Sequence, residues 1–114
     1  MPSIDIKLAK QASRKQEILL AQGLANAITM VPGKKADTLM VRISSDDHLY
    51  MGGQFLEYGA MATVSFKSGV TQQDCEAFQA EFSRILVEDL KIPEKNIYIT
   101  YEFCDTFAVG PKFI

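Results

Sequence analysis

The chain has 114 residues, enough for a single domain over 1–114 with one core. Hydrophobic residues make up 47% and charged residues 23%, and the net charge of -2 with scattered basic residues leaves no footprint for a nucleic-acid partner. No apolar run reaches the ~18 residues of a membrane span, and residues 1–7 lack the apolar stretch of a secretory signal, so a cytoplasmic setting is expected.

Ile4, Ile6 and Leu8 alternate with Asp5 and Lys7, the period of a half-buried strand. Ser13 followed by Gln16 has the form of a capping box. From there Ile18, Ala21, Leu24, Ala25, Ile28 and Val31 recur at helical spacing until Pro32-Gly33 stops the helix. Leu39, Val41 and Ile43 alternate again. The stretch from Ser44 to Gly59 is too long for a tight hairpin, and Leu49-Tyr50-Met51-Gly52-Gly53 suits a short extra edge strand.

The second half repeats the plan. Residues 60–66 are apolar and partly β-branched, a buried strand. Thr71 with Asp74 offers a second N-cap, and Phe78, Phe82, Ile85, Leu86 and Leu90 share a helical face. After Ile92-Pro93, residues 97–103 form an aromatic and β-branched strand. A duplicated βαβ unit is the simplest account, each half with a parallel strand pair and a right-handed crossover. Four strands with both helices on one face leave the other face uncovered. It is expected to carry Ile, Val and Tyr side chains and to be covered by oligomerisation.

Few residues suggest chemistry. Cys75 and Cys104 are too far apart for a metal knuckle or a redox pair, and the single His48 has no partner for zinc or a triad. Asp46-Asp47, ahead of a Gly-Gly turn, fits a solvated loop. Pro2 either opens a strand or, once an aminopeptidase removes Met1, presents a free secondary amine. An α-amino group titrates at ~7.7–8, and burial or a nearby cation lowers that value. Lys34 either meets helix C-terminal carbonyls or clamps an anion. Tyr98 and Thr100 share one strand face, as core or as a polar-tipped pocket wall.

Together these residues resemble the macrophage migration inhibitory factor family of the tautomerase superfamily, from Pro2 almost to Val109. The resemblance rests on the initial Met-Pro, Pro32-Gly33-Lys34 before an apolar strand, Met51-Gly52-Gly53, the strand end Val64-Ser65-Phe66, and the run Ile92-Pro93-Glu94-Lys95-Asn96-Ile97-Tyr98-Ile99. It implies an α+β protomer of βαββαβ order, a four-stranded mixed sheet with two helices on one face, assembled as a homotrimeric barrel with sites between subunits. It also implies a cofactor-free keto–enol isomerase of phenylpyruvate-like acids, without a metal. Pro2 would be the base. Lys34 and the Ser65-Phe66 strand end would bind the substrate carboxylate. Tyr98, Thr100 and Val109 would line the pocket, with Tyr98 reaching in from the adjacent subunit.

The chain departs from the family pattern at several points. Thr100 stands where a pocket asparagine is usual, and Pro111 replaces a pocket tryptophan in a shortened tail. The redox cysteines of some members fall near Tyr58 and Met61. Two other activities suit the scaffold: a binding or signalling module with a vestigial site, or a dehalogenase or decarboxylase of a small acid. The latter relatives use arginines near the proline, whereas Arg42 alternates away from Val41 and Ile43, and Arg14 and Arg84 fall on helices.

Overall fold

The computed structural model describes residues 1–114. Strand β1 (Pro2–Leu8) buries Ile4, Ile6 and Leu8, as the alternation requires. Helix α1 (Arg14–Ala27) opens on the expected reciprocal cap: Gln16 N donates to Ser13 Oγ at 3.1 Å, and Ser13 N donates to Gln16 Oε1 at 2.9 Å. The helix ends at Ala27 and tightens into a 3-10 turn, Ile28–Met30, before Pro32-Gly33 is reached. The proline acts one residue upstream, because its ring forces Val31 out of the helical region (φ -87, ψ 125). The buried face is Leu20, Leu24, Ala27, Ile28 and Val31. Ile18, expected in it, lies half exposed over a groove toward Val41 and Ile43.

Strand β2 (Met40–Ser44) runs parallel to β1, with Ile4 opposite Val41 and Ile6 opposite Ile43. The expected extra edge strand is instead a separate hairpin, β3 (Tyr50–Met51) and β4 (Gln54–Phe55). Gly52 and Gly53 turn it with φ values of 57 and 79, a left-handed pair that glycine tolerates without strain. Its two residues per strand are too few to extend the main sheet. Strand β5 (Ala60–Lys67) is antiparallel to β1.

Thr71 and Asp74 cap each other as expected, but they lead into a 3-10 turn, Gln73–Cys75, before helix α2 (Glu76–Leu90) begins. Phe78, Phe82, Ile85 and Leu86 form its buried face, with Leu90 at the margin. Strand β6 (Ile97–Cys104) is parallel to β5, and a last hairpin, β7 (Ala108–Val109) with β8 (Lys112–Phe113), closes the chain.

The main sheet has the order β2-β1-β5-β6. Two parallel βαβ halves therefore meet at the antiparallel β1–β5 pair, and the core lies between the sheet and the two helices. The other face is not the Ile and Val surface expected. Ile4, Val41, Val64, Ile99 and Tyr101 all pack on the helix side. The open face is mixed: Ser3, Asp5, Arg42, Thr63, Ser65 and Glu102 with exposed Met40, Met61 and Tyr98. Strand alternation sorts the residues this way, and the polar set can stay wet where an apolar set could not.

Candidate active site

The start of β1 and the ends of β5 and β6 meet at one end of the sheet. Pro2 is fully buried there and pairs with Phe66 across the antiparallel register. A proline suits the first strand position, where its missing N–H costs no ladder bond. Phe66 also faces Phe103 in the parallel register, and the two rings stack at 6.3 Å with 12° between their planes.

Lys34 reaches the same place from the helix layer. Val31 is extended, Gly33 takes a φ of 78, and Lys34 N donates to Val31 O at 3.1 Å. That turn needs glycine, and it carries Lys34 Nζ to 5.7 Å from the centre of the Phe66 ring. The lysine is therefore not spent on the carbonyls that end α1.

Electrostatics at this end disfavour a positive charge on the N-terminal amine. Burial pushes the Met1 ammonium below its ordinary 8.0, the charge and contact of Lys34 push it further, and Lys67 adds to them. Lys67 was missed in the sequence, yet it follows from register: if Pro2 faces Phe66 antiparallel, Met1 faces Lys67. Cys75 lies buried beneath the site, its thiol pushed up by burial and by Asp74 against an opposing effect of Lys34, which makes it a poor nucleophile. Beside it Tyr101 donates its hydroxyl to Gln79 Oε1 at 2.6 Å, and burial holds that phenol protonated.

The remaining candidates lie elsewhere in the protomer. The Ser65 side chain turns to the open face and donates to Glu102 Oε2 at 3.3 Å, so only its backbone adjoins Phe66. Thr100 also faces outward, with its Oγ1 3.3 Å from Thr63 Oγ1. Tyr98 pairs with Met61, five positions along β5 from Phe66 and roughly 16 Å away at the ordinary strand rise. It is exposed and lines a groove with Tyr50, Met51 and His48. Val109 is exposed on β7, and Pro111 sits in the turn that follows. One chain thus brings together Pro2, Phe66 and Lys34, turns Thr100 to the other face of the sheet, and leaves Tyr98 outside that cluster.

A family model described as macrophage migration inhibitory factor matches residues 1–112. The chain belongs to the macrophage migration inhibitory factor family. No curated protein matches it. Among solved structures it is similar to the migration inhibitory factor 2 of Leishmania major, with a TM-score of 0.91, 14% identity, and 100% of this chain and 97% of the other covered. It is also similar to Pt0534 inactivated by 2-oxo-3-pentynoate, with a TM-score of 0.79, 21% identity, and coverage of 90% and 85%. A fused 4-OT, solved as an asymmetric trimer, gives a TM-score of 0.82 at 17% identity, with coverage of 97% and 94%. At these identities the likeness is one of fold, the tautomerase fold these proteins share with the family. No helix of the chain is long and apolar enough to cross a membrane.

Proposed function

We propose that this family member is a cofactor-free keto–enol tautomerase of phenylpyruvate-like α-keto acids, with the amine of Pro2 as its base after removal of Met1. The observation that carries the reading is the meeting of buried Pro2, buried Phe66 and Lys34 at one end of the sheet, where burial and Lys34 also push the Met1 ammonium below its ordinary value. While Met1 remains, the Pro2 nitrogen is an amide and cannot accept a proton.

The neutral amine takes a proton from the carbon beside the ketone, leaving an enolate. The resulting prolinium returns that proton to the enolate oxygen to give the enol, and the reverse path returns it to carbon. Atoms and charge balance without a co-reactant. Lys34 offsets the carboxylate and the enolate, and the Phe66 backbone flanks the carboxylate side. A placed base contributes ~10²–10⁴ in rate.

The arginines fit the dehalogenase or decarboxylase reading less well. Arg42 bonds Asp5 on the open face, and Arg84 bonds Glu81 and Glu88 along α2. Tyr98 lies too far from Pro2 to serve its own protomer, which supports a homotrimer in which it completes a neighbour's site. The trimeric fused 4-OT of the same fold supports that assembly.

The test is conversion of the phenylpyruvate enol by the Met1-free protein, followed in the ultraviolet. An alanine left ahead of Pro2 should abolish it while the circular dichroism stays unchanged. Full activity in that variant overturns the role of Pro2, and no turnover in the Met1-free protein leaves a binding module.

A further inference from the structure

We propose that Lys34 and Lys67 form a two-cation clamp around the Pro2 amine, and that the preferred substrate is an α-keto acid with a second, distal carboxylate. The inference rests on the reading of Pro2 as the base, and phenylpyruvate is then a surrogate that fills half of the clamp.

The geometry comes from strand register. Pro2 faces Phe66 in the antiparallel β1–β5 pair, so the residue before Pro2 faces Lys67. Loss of Met1 opens that place, directly ahead of the amine. Alternation along β5 puts Phe66 on the helix side and roots Lys67 with Met61, Thr63 and Ser65 on the open side. Lys34 approaches from the helix side, above the Phe66 ring. The two ammonium groups therefore reach the end of β1 from opposite faces of the sheet.

Charge on the page favours an anion at each. Neither lysine takes part in any ion pair of the structure. Two acids lie near the partner of Lys67, Cys104: Glu102 accepts a hydrogen bond from Ser65 Oγ, and Asp105 forms no ion pair. Both lysines push the Met1 ammonium down, so both charges are felt at the place that Met1 vacates. One carboxylate and one lysine suffice for a monoacid. A second lysine at the same sheet end, on the opposite face, leaves a charge unpaired unless a second anion meets it. The main chain that carries Lys67 is also fixed, because Ser68 N donates to Cys104 O at 2.8 Å.

The test compares 2-oxoglutarate with 2-oxopentanoate, which share a five-carbon 2-oxo chain and differ in the distal carboxylate. Dissociation constants for the Met1-free protein come from titration calorimetry at low salt. The diacid should bind about tenfold more tightly, as one added charge-assisted contact implies. Lys67→Met should bring the two within about twofold, Lys67→Arg should keep the preference, and Lys34→Ala should weaken both acids. Equal affinities in the unaltered protein, a preference that survives Lys67→Met, or no binding of either acid overturns the proposal. Phenylpyruvate turnover measured alongside separates this from failure of the base. A lost preference with Pro2-dependent turnover intact overturns the clamp alone. A preference that persists without such turnover overturns the base alone.

Discussion

If Pro2 is the base, its strength is set by what the fold places around one nitrogen. Only the neutral amine accepts a proton, so kcat/KM for phenylpyruvate should rise with pH and level off. Burial, Lys34 and Lys67 push the Met1 ammonium down, and the Pro2 amine one residue on adjoins the same groups, so the midpoint should fall below the ordinary α-amino value of ~7.7–8. Lys34→Ala removes one of the three effects. It should move the midpoint up and weaken carboxylate binding, and a pH titration of the variant reads both. A flat profile would show that some other group carries the proton. Pro2→Ala keeps an amine but makes it primary and more mobile, so activity should drop without vanishing, by less than the ~10²–10⁴ that a placed base contributes. The meeting of Pro2 and Lys34 at one place was legible in the sequence only through the family resemblance, since each alone also suits a strand start or a helix exit. Lys67 was not legible, because its place depends on the register of a strand more than sixty residues away.

At the scale of elements, local chemistry was read well wherever it decides the outcome. The reciprocal bonds of Ser13 and Gln16 and of Thr71 and Asp74 were visible as short motifs, because a cap involves only neighbours. Ser13→Ala should cost about 1 kcal/mol in a denaturant melt, with no change in turnover. The stretch before β5 was harder. Gly52-Gly53 marks a turn, but nothing local tells an edge strand from a free hairpin. Ile18 misled for a related reason: helical spacing gives a face, and the tilt of α1 on the sheet decides which margin is covered. Phe66 joins element to site. Its ring is fully buried, stacks on Phe103 and underlies Lys34. Phe66→Ala should therefore cost about 3–5 kcal/mol and lose activity. Phe66→Leu should cost less than the alanine variant and still raise KM, through the lost ring beneath Lys34.

For the whole molecule, the sheet face away from the helices poses the question that one chain cannot answer. The fold class was legible because two βαβ halves leave few arrangements. The character of the open face was misjudged, since hydrophobic content says how much apolar surface exists and not on which side it falls. The polar part of it, Asp5, Arg42, Thr63 and Glu102, suits a wet lumen inside a ring of subunits, and exposed Met40, Met61 and Tyr98 suit contact with a neighbour. Tyr98 gives the assembly a functional test. It is exposed, and it stands roughly 16 Å by strand rise from the Phe66 of its own chain. If the site is shared, light scattering of the Met1-free protein should give about 38 kDa, three chains of 12.7 kDa. Tyr98→Ala should then lower turnover, and the alanine-extended protein should be inactive. Refolding the two variants together should restore part of the activity, because some interfaces then join an intact Pro2 to an intact Tyr98. A monomer at micromolar concentration, or a mixture no more active than its parts, would place the whole site within one chain.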